Sequence, residues 1–281
     1  MVSGGSEATE SAIKLARKYQ IDSGNPSKFK VISRWLSYHG MTMGSLALSG
    51  FPFRRADYVP YLPSTYHIAP AYCYRCWYHK TPAGCDLECA QALENEIMMQ
   101  GPETVAAFIA EPFSGMSLCA AAPRRDYFKK IREICDKFGV LLILDEVMTG
   151  FGRTGKYFAY EHFETPPDLI ALGKGIAGGY FPLGGVNAGN MLEYLADPTI
   201  AAVGGSWIVQ ADLAIIHQQQ NRGRGEFLCD RPNTIHSLRR GWYVQLDIGE
   251  SKSLGIQNRV TLSQPDTQSH HFFRLYSTLP D

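Results

Sequence analysis

Three short apolar runs punctuate the middle of the chain, and each stops at residues that carry chemistry. TVAAFIAEP (104–112) ends at Glu111, VLLILDEVMTGFGRTG (140–155) passes from five apolar residues to Asp145 and Glu146, and DLIALGKGIAGG reaches Lys174. A brief apolar run without polar alternation suits a strand covered on both faces, the usual condition of a parallel sheet. Helical patterns separate these runs. Leu93 and Ile97 share a face within 86–100, and Phe128, Ile131, Ile134, Cys135 and Phe138 form one stripe within 125–138. Upstream, FKVISRWLS (29–37) reads as a strand leading into the Tyr38-His39-Gly40 turn. Ser6 and Glu7 open a first helix as N-cap hydroxyl and first-turn acid, followed by Ala8, Ala12, Leu15, Ala16 and Tyr19 at helical spacing. This alternation predicts an α/β fold with a mostly parallel, doubly wound sheet. Ligands of such sheets bind at the carboxyl ends of the strands, where Glu111, Asp145, Glu146 and Lys174 fall.

Composition narrows the function classes. Twenty-seven basic and 27 acidic residues give zero net charge, and so no electrostatic case for nucleic acid or an anionic membrane. No apolar run approaches the roughly 20 residues of a membrane span. The N-terminus, MVSGGSEATESA, lacks the basic head and apolar stretch of a signal peptide. An odd count of seven cysteines fits reduced thiols better than a disulfide framework. A cytoplasmic location is the expectation, with a mitochondrial one also compatible. After about residue 200 the pattern changes. HQQQNRGRGEF (217–227) is polar and glycine-broken, the end containing TLSQPDTQSHHFF has no helical period, and WYVQLDI (242–248) reads as an isolated strand. Residues 1–200 therefore form one expected domain and 201–281 a divergent tail.

The residues alone leave several chemistries open. An apolar strand ending in Asp-Glu resembles a Walker B segment, but no G-x-x-x-x-G-K-[ST] run accompanies it. Asp145 could instead face the ring nitrogen of an organic cofactor, or serve as a structural acid. Lys174, between glycines at a strand end, is a nucleophile if its amine is partly desolvated, and a snorkelling surface lysine if not. Gly173 to Gly178 also satisfies G-x-G-x-x-G, with Glu193 eighteen residues beyond Gly175, but Gly179, Pro182, Gly184 and Gly185 cut short the helix that pyrophosphate needs. Cys73, Cys76, Cys85 and Cys89 have spacings that a zinc site could use, or are small buried hydrophobes. Gly4-Gly5-Ser6 at a helix start is either a phosphate site or an ordinary cap.

Taken in order, GGSEATESAIKLAR, SYHG, the IAEP strand, LILDEVMTGFGRTG and ALGKGIAGGYFPLGGV closely resemble the class III, or ω-, aminotransferases, which are pyridoxal-phosphate enzymes of fold type I. The resemblance implies that Lys174 forms the Schiff base and moves a proton at the substrate, and that Asp145 faces the pyridine nitrogen. It implies that Val147 packs on one ring face, as a residue two beyond Asp145 on the same strand. Tyr38 covers the other face with His39 beside it, Gly5 and Ser6 hold the phosphate, and Glu111 helps place substrate or cofactor. Arg153 in GFGRTG braces its loop or, as the alternative, meets the substrate. PAYCYRCWYHK also looks like a segment of some members and carries no metal there, so no metal is expected. The implied reaction moves an amino group from an ω-amino acid or amine to a 2-oxo acid, in a homodimer. An aminomutase or decarboxylase of this fold, or an inactive fragment, is the alternative. The threonine-bearing stretch that binds the partner subunit's cofactor phosphate is replaced here by AAVGGSWIVQADLA. The chain therefore looks like an incomplete large domain.

Overall fold

A computed structural model describes residues 1–187 together with Tyr243–Ile248, Asn258–Ser263 and His271–Arg274. Contacts divide the chain into two units, Met1–Ile208 and Val209–Asp281.

In the first unit the helices are α1 (Gly5–Asp22), α2 (Met43–Leu48), α3 (Pro52–Arg55), α4 (Glu88–Gln100) and α5 (Tyr127–Phe138). The strands are β1 (Lys30–Arg34), β2 (Tyr66–Ile68), β3 (Val105–Ala110), β4 (Leu141–Asp145), β5 (Leu169–Leu172) and β6 (Gly185–Asn187). They form one sheet in the order β2-β1-β3-β4-β5-β6, parallel throughout except for the antiparallel β5–β6 pair. The expected mostly parallel α/β sheet is present.

Side-chain alternation explains why the strands read as continuous apolar runs. Phe108, Ala110, Leu142 and Leu144 point to one face, where they pack with Leu93 and Ile97 of α4 and Phe128 and Ile131 of α5. Ala107, Ile109, Leu141 and Ile143 point to the other, against Ala12, Leu15 and Ala16 of α1. Every residue of β3, β4 and β5 is buried. Helix α5 stops at Gly139, whose left-handed φ of 59° lets Val140 N–H return to Cys135 O at 2.9 Å. That turn feeds the chain directly into β4.

The first strand is shorter than the sequence pattern suggests. β1 ends at Arg34, because Trp35 makes only an isolated bridge to Gly50 and Leu36 turns with a φ of 55°. The early end points Ser37, Tyr38 and His39 away from the sheet.

In the second unit, β7 (Tyr243–Ile248), β8 (Asn258–Ser263) and β9 (His271–Arg274) form an antiparallel sheet in that order. The WYVQLDI strand is thus not isolated. Its partners are brief segments, NRVTLS and HFFR, whose few residues carry too little periodicity to stand out. HQQQNRGRGEF, Glu193 and AAVGGSWIVQADLA lie outside the described residues.

Candidate active site

The ends of β3, β4 and β5 and the start of α1 converge on a cavity of about 470 Å³, within the roughly 300–1,000 Å³ usual for cofactor sites. Gly5, Ser6, Tyr38, His39, Glu111, Asp145, Val147 and Lys174 all line it. The eight residues that the resemblance implies for the cofactor site thus share one cavity, which Glu146 and Arg153 do not line.

Asp145 ends β4 and is 5% exposed. Its Oδ2 lies 2.8 Å from His39 Nδ1, and its Oδ1 accepts the Val147 N–H at 3.1 Å. A carboxylate offers about four acceptor positions, so two bonds orient it and leave capacity toward the cavity. His39 lines the same cavity as Tyr38. It is buried against Asp145, and its Nε2 has no hydrogen-bond partner. Val147 departs from expectation. The strand stops at Asp145, so Val147 reaches the cavity from the following turn and not by strand alternation.

Glu146 turns away. It accepts the Ala159 and Tyr160 N–H groups at 3.0 and 2.9 Å and the Thr149 hydroxyl, and is fully buried. Burial pushes its carboxyl above the usual range, against the pull of those three donors. This acid fastens the 146–160 loop. Arg153 in that loop is exposed and does not line the cavity. The bracing falls instead to His162, whose Nε2 sits 3.1 Å from both Thr154 O and Thr154 Oγ1.

Glu111, one residue past β3, is 4% exposed. Its carboxyl accepts the Tyr38 N–H at 3.0 Å and the Gly115 N–H at 2.9 Å. Burial raises its pKa, the nearby His39 opposes the rise, and Asp145 adds to it.

Ser6 is not the N-cap of α1. Gly4 holds that position in extended backbone, and the helix begins at Gly5. The first helical bond runs from Ala8 N–H to Gly4 O at 3.0 Å, so the helix leaves the N–H groups of Gly5, Ser6 and Glu7 unused. Ser6 Oγ instead takes the Met41 N–H at 3.1 Å. A Cβ on Gly5 would lie 2.6 Å from Val147 Cγ1, so only glycine lets the helix start approach the turn after β4.

Lys174 begins a 3-10 turn, Lys174–Ala177, just beyond β5. It is exposed, so desolvation is not what distinguishes its amine. Its turn lifts it clear of the packed sheet. What marks it is a φ of 45°, a left-handed conformation that a non-glycine side chain adopts at a cost, and its place on the cavity wall. The same turn ends in left-handed Gly178, and no α-helix follows Gly173 among the described residues as a dinucleotide fold would need. Cys73, Cys76, Cys85 and Cys89 are free thiols, and among the described residues no group of three or more His, Cys, Asp or Glu could hold a metal ion.

Sequence reasoning missed Arg34, Met116 and Met148. The methionines complete the cavity lining. Arg34, buried behind Glu111, gave no signal beyond being a charge in an apolar strand.

A mostly parallel sheet that brings an amine, two carboxyls and a helix N-terminus to one crevice makes this an α/β protein with a ligand cavity at its strand ends. The chain belongs to the class-III aminotransferase family, whose model matches residues 1–205. It is 40% identical over 184 residues to the putrescine–pyruvate aminotransferase of Pseudomonas aeruginosa, covering 65% of this chain and 40% of that one. The (S)-enantioselective ω-transaminase of Thermomicrobium roseum superimposes with a TM-score of 0.65 at 38% identity, over 73% of this chain and 45% of that one. A PLP-bound amine transaminase from an uncultivated Pseudomonas species gives 0.64 at 34% identity, over 72% and 47%. The sheet is that of the fold type I transaminases, and pyridoxal phosphate is the cofactor these likenesses indicate. The chain spans about two fifths of the length of the curated relatives it matches.

The residues present fit that cofactor. Three unused N–H groups at α1 suit a phosphate, an oriented carboxylate with spare acceptor capacity suits a protonated ring nitrogen, and a lysine shares the same cavity.

Proposed function

We propose that this chain carries the cofactor half-site of a pyridoxal-phosphate-dependent transaminase, moving an amino group from an ω-amino acid or amine to a 2-oxo acid. The observation that supports this best is the convergence of Lys174, Asp145 and the α1 N-terminus on one cavity. Pyridoxal phosphate, when bound, supplies an electron sink for the pair left as the substrate loses a proton from its amine-bearing carbon. Asp145, oriented by His39 and the Val147 N–H, would meet the ring nitrogen and favour its protonated form. The α1 N–H groups of Gly5 and Ser6 hold the phosphate, helped by the positive end of the helix dipole. Val147 and Tyr38, both on the cavity wall, would pack against the ring. Lys174, on the turn beyond β5, would hold the cofactor covalently and would be the group to move a proton at the substrate's amine-bearing carbon. Glu111 fixes the Tyr38 main chain and thereby one wall of the substrate side. The P. aeruginosa relative is named for a diamine donor and pyruvate, which fits an amine donor and a 2-oxo acid acceptor here. A homodimer completes the phosphate site in this reading.

The test is covalent. The chain, incubated with pyridoxal phosphate and reduced with borohydride, should carry the pyridoxyl group on Lys174 in a peptide map. Capture on Lys137 or Lys156 instead would remove the assignment.

A further inference from the structure

Arg34 is the last residue of β1 and is 1% exposed. It forms no salt bridge among the described residues. A guanidinium keeps its proton inside proteins, so this is a buried cation without a carboxylate beside it, an arrangement that costs stability unless its donors are well used. Its Nη2 donates to the main-chain oxygen of Glu111 at 2.5 Å and lies 3.4 Å from Ser114 Oγ. Its guanidinium carbon sits 5.7 Å from the ring centre of Tyr127 and 6.0 Å from that of Phe128, both fully buried. The Arg34 main chain is equally fixed. Its carbonyl accepts the Ser37 hydroxyl at 2.7 Å, and a Cβ on Gly50 would fall 2.2 Å from the same oxygen.

The contact that matters is with Glu111. The Glu111 carboxyl joins Tyr38 N–H to Gly115 N–H, and Ser117 Oγ donates to Leu36 O, so residues 34–38 and 111–117 are stitched together. Tyr38, Glu111 and Met116 from these two segments line the cavity. We propose that Arg34 is a positioning residue of the site: by binding the Glu111 carbonyl it sets the 111–117 segment so that the Glu111 carboxyl can bridge Tyr38 and Gly115. Glu111 is gripped from two ends, its carbonyl by β1 and its carboxyl by the two loops. Only what this wall is for rests on the pyridoxal-phosphate reading; the linkage itself does not.

Amide hydrogen exchange by NMR on the ligand-free full chain tests the linkage. Arg34→Met keeps length and apolar contact but removes the donor. It should speed exchange at Tyr38 and Gly115 by about tenfold or more, while Ile143 and Leu144 in β4 change by less than about twofold. In the unsubstituted chain the Arg34 guanidinium should show hindered rotation and a coupling across the hydrogen bond to the Glu111 carbonyl carbon. This signature decides the matter alone if Arg34→Met does not fold. A freely rotating guanidinium, or unchanged exchange at Tyr38 and Gly115, overturns the proposal. A pyridoxal phosphate titration of both chains then reads the consequence for the site, with Arg34→Met expected to bind several-fold more weakly. Equal affinity in two chains that both bind would overturn the positioning role. Failure of the unsubstituted chain to bind would count against the cofactor reading and leave Arg34 to be judged on exchange.

Discussion

Asp145 turns into the cavity to meet His39 at 2.8 Å, while Glu146 turns outward and collects the N–H groups of Ala159 and Tyr160. Substituting the two neighbours should therefore give different phenotypes. Asp145→Asn keeps the shape but cannot hold a ring nitrogen protonated. In any assembly where the wild type turns over, it should lower turnover by about a hundredfold while leaving most cofactor bound, since charge-assisted hydrogen bonds are worth roughly 1.5–3 kcal/mol. Parallel rate and absorbance measurements check this, and near-normal turnover would contradict the role. Glu146→Ala leaves three buried donors without an acceptor and should cost roughly 3 kcal/mol or more of stability, read by urea unfolding. The same experiment has a pH signature. Burial raises the folded-state pKa of Glu146, so the folded chain holds its proton after the unfolded chain has lost it. Stability contributed by this group is full below the ordinary carboxyl range and declines as pH rises toward the raised value. Glu111, raised in the same direction, adds to that decline. Glu146→Ala should flatten the decline that sets in as pH rises above the ordinary carboxyl range; an unchanged slope would assign it to other groups.

At the scale of elements, the site depends on how closely the first turn of α1 approaches the turn after β4. Gly5 and Gly173 both pack on Val147, and a Cβ on Gly173 would also come within 3.0 Å of Val147 Cγ1. Val147 is β-branched and has little rotamer freedom to yield. The approach is secured from outside by an antiparallel bridge, in which Val2 and Gly184 exchange hydrogen bonds of 2.9 and 2.7 Å across the start of α1. Gly5→Ala should weaken pyridoxal phosphate binding by about tenfold, in line with the roughly 1–3 kcal/mol of overpacking. Adding Val147→Ala should restore much of the loss, because the two substitutions act on one contact. A double-mutant cycle of cofactor affinities checks this, and additive losses would show that Gly5 matters for some other reason.

For the whole molecule, the sheet and cavity of residues 1–187 carry the groups expected to hold a cofactor, but AAVGGSWIVQADLA stands where the sequence resemblance implies a threonine-bearing, phosphate-binding stretch. Each missing charge-assisted phosphate contact weakens binding by about tenfold or more. The chain by itself should therefore bind pyridoxal phosphate weakly and turn over slowly. Absorbance titration with an amine-donor assay on the same sample decides this. Sub-micromolar affinity with turnover near 1 s⁻¹ or faster, the low end of the roughly 1–10³ s⁻¹ of ordinary enzymes, would show a complete site.

The amino-acid sequence by itself determined the α/β architecture and the apolar strands at whose ends Glu111, Asp145 and Lys174 fall, but it gave no sign of α2, α3, β2 or β6. Those properties follow from local causes: apolar runs such as VLLIL, helical stripes such as Phe128–Ile131–Cys135, and glycines where the chain must turn. The tertiary structure decided what each of those residues touches. The partner of His39 lies 106 positions away, and the carbonyl held by Arg34 lies 77 positions away. No periodicity within a segment encodes either pairing. Even the choice between Asp145 and Glu146 was set by the fold, because both follow the same strand, and only the packing of β4 beside the His39 turn and the 146–160 loop gives each carboxylate its own donors.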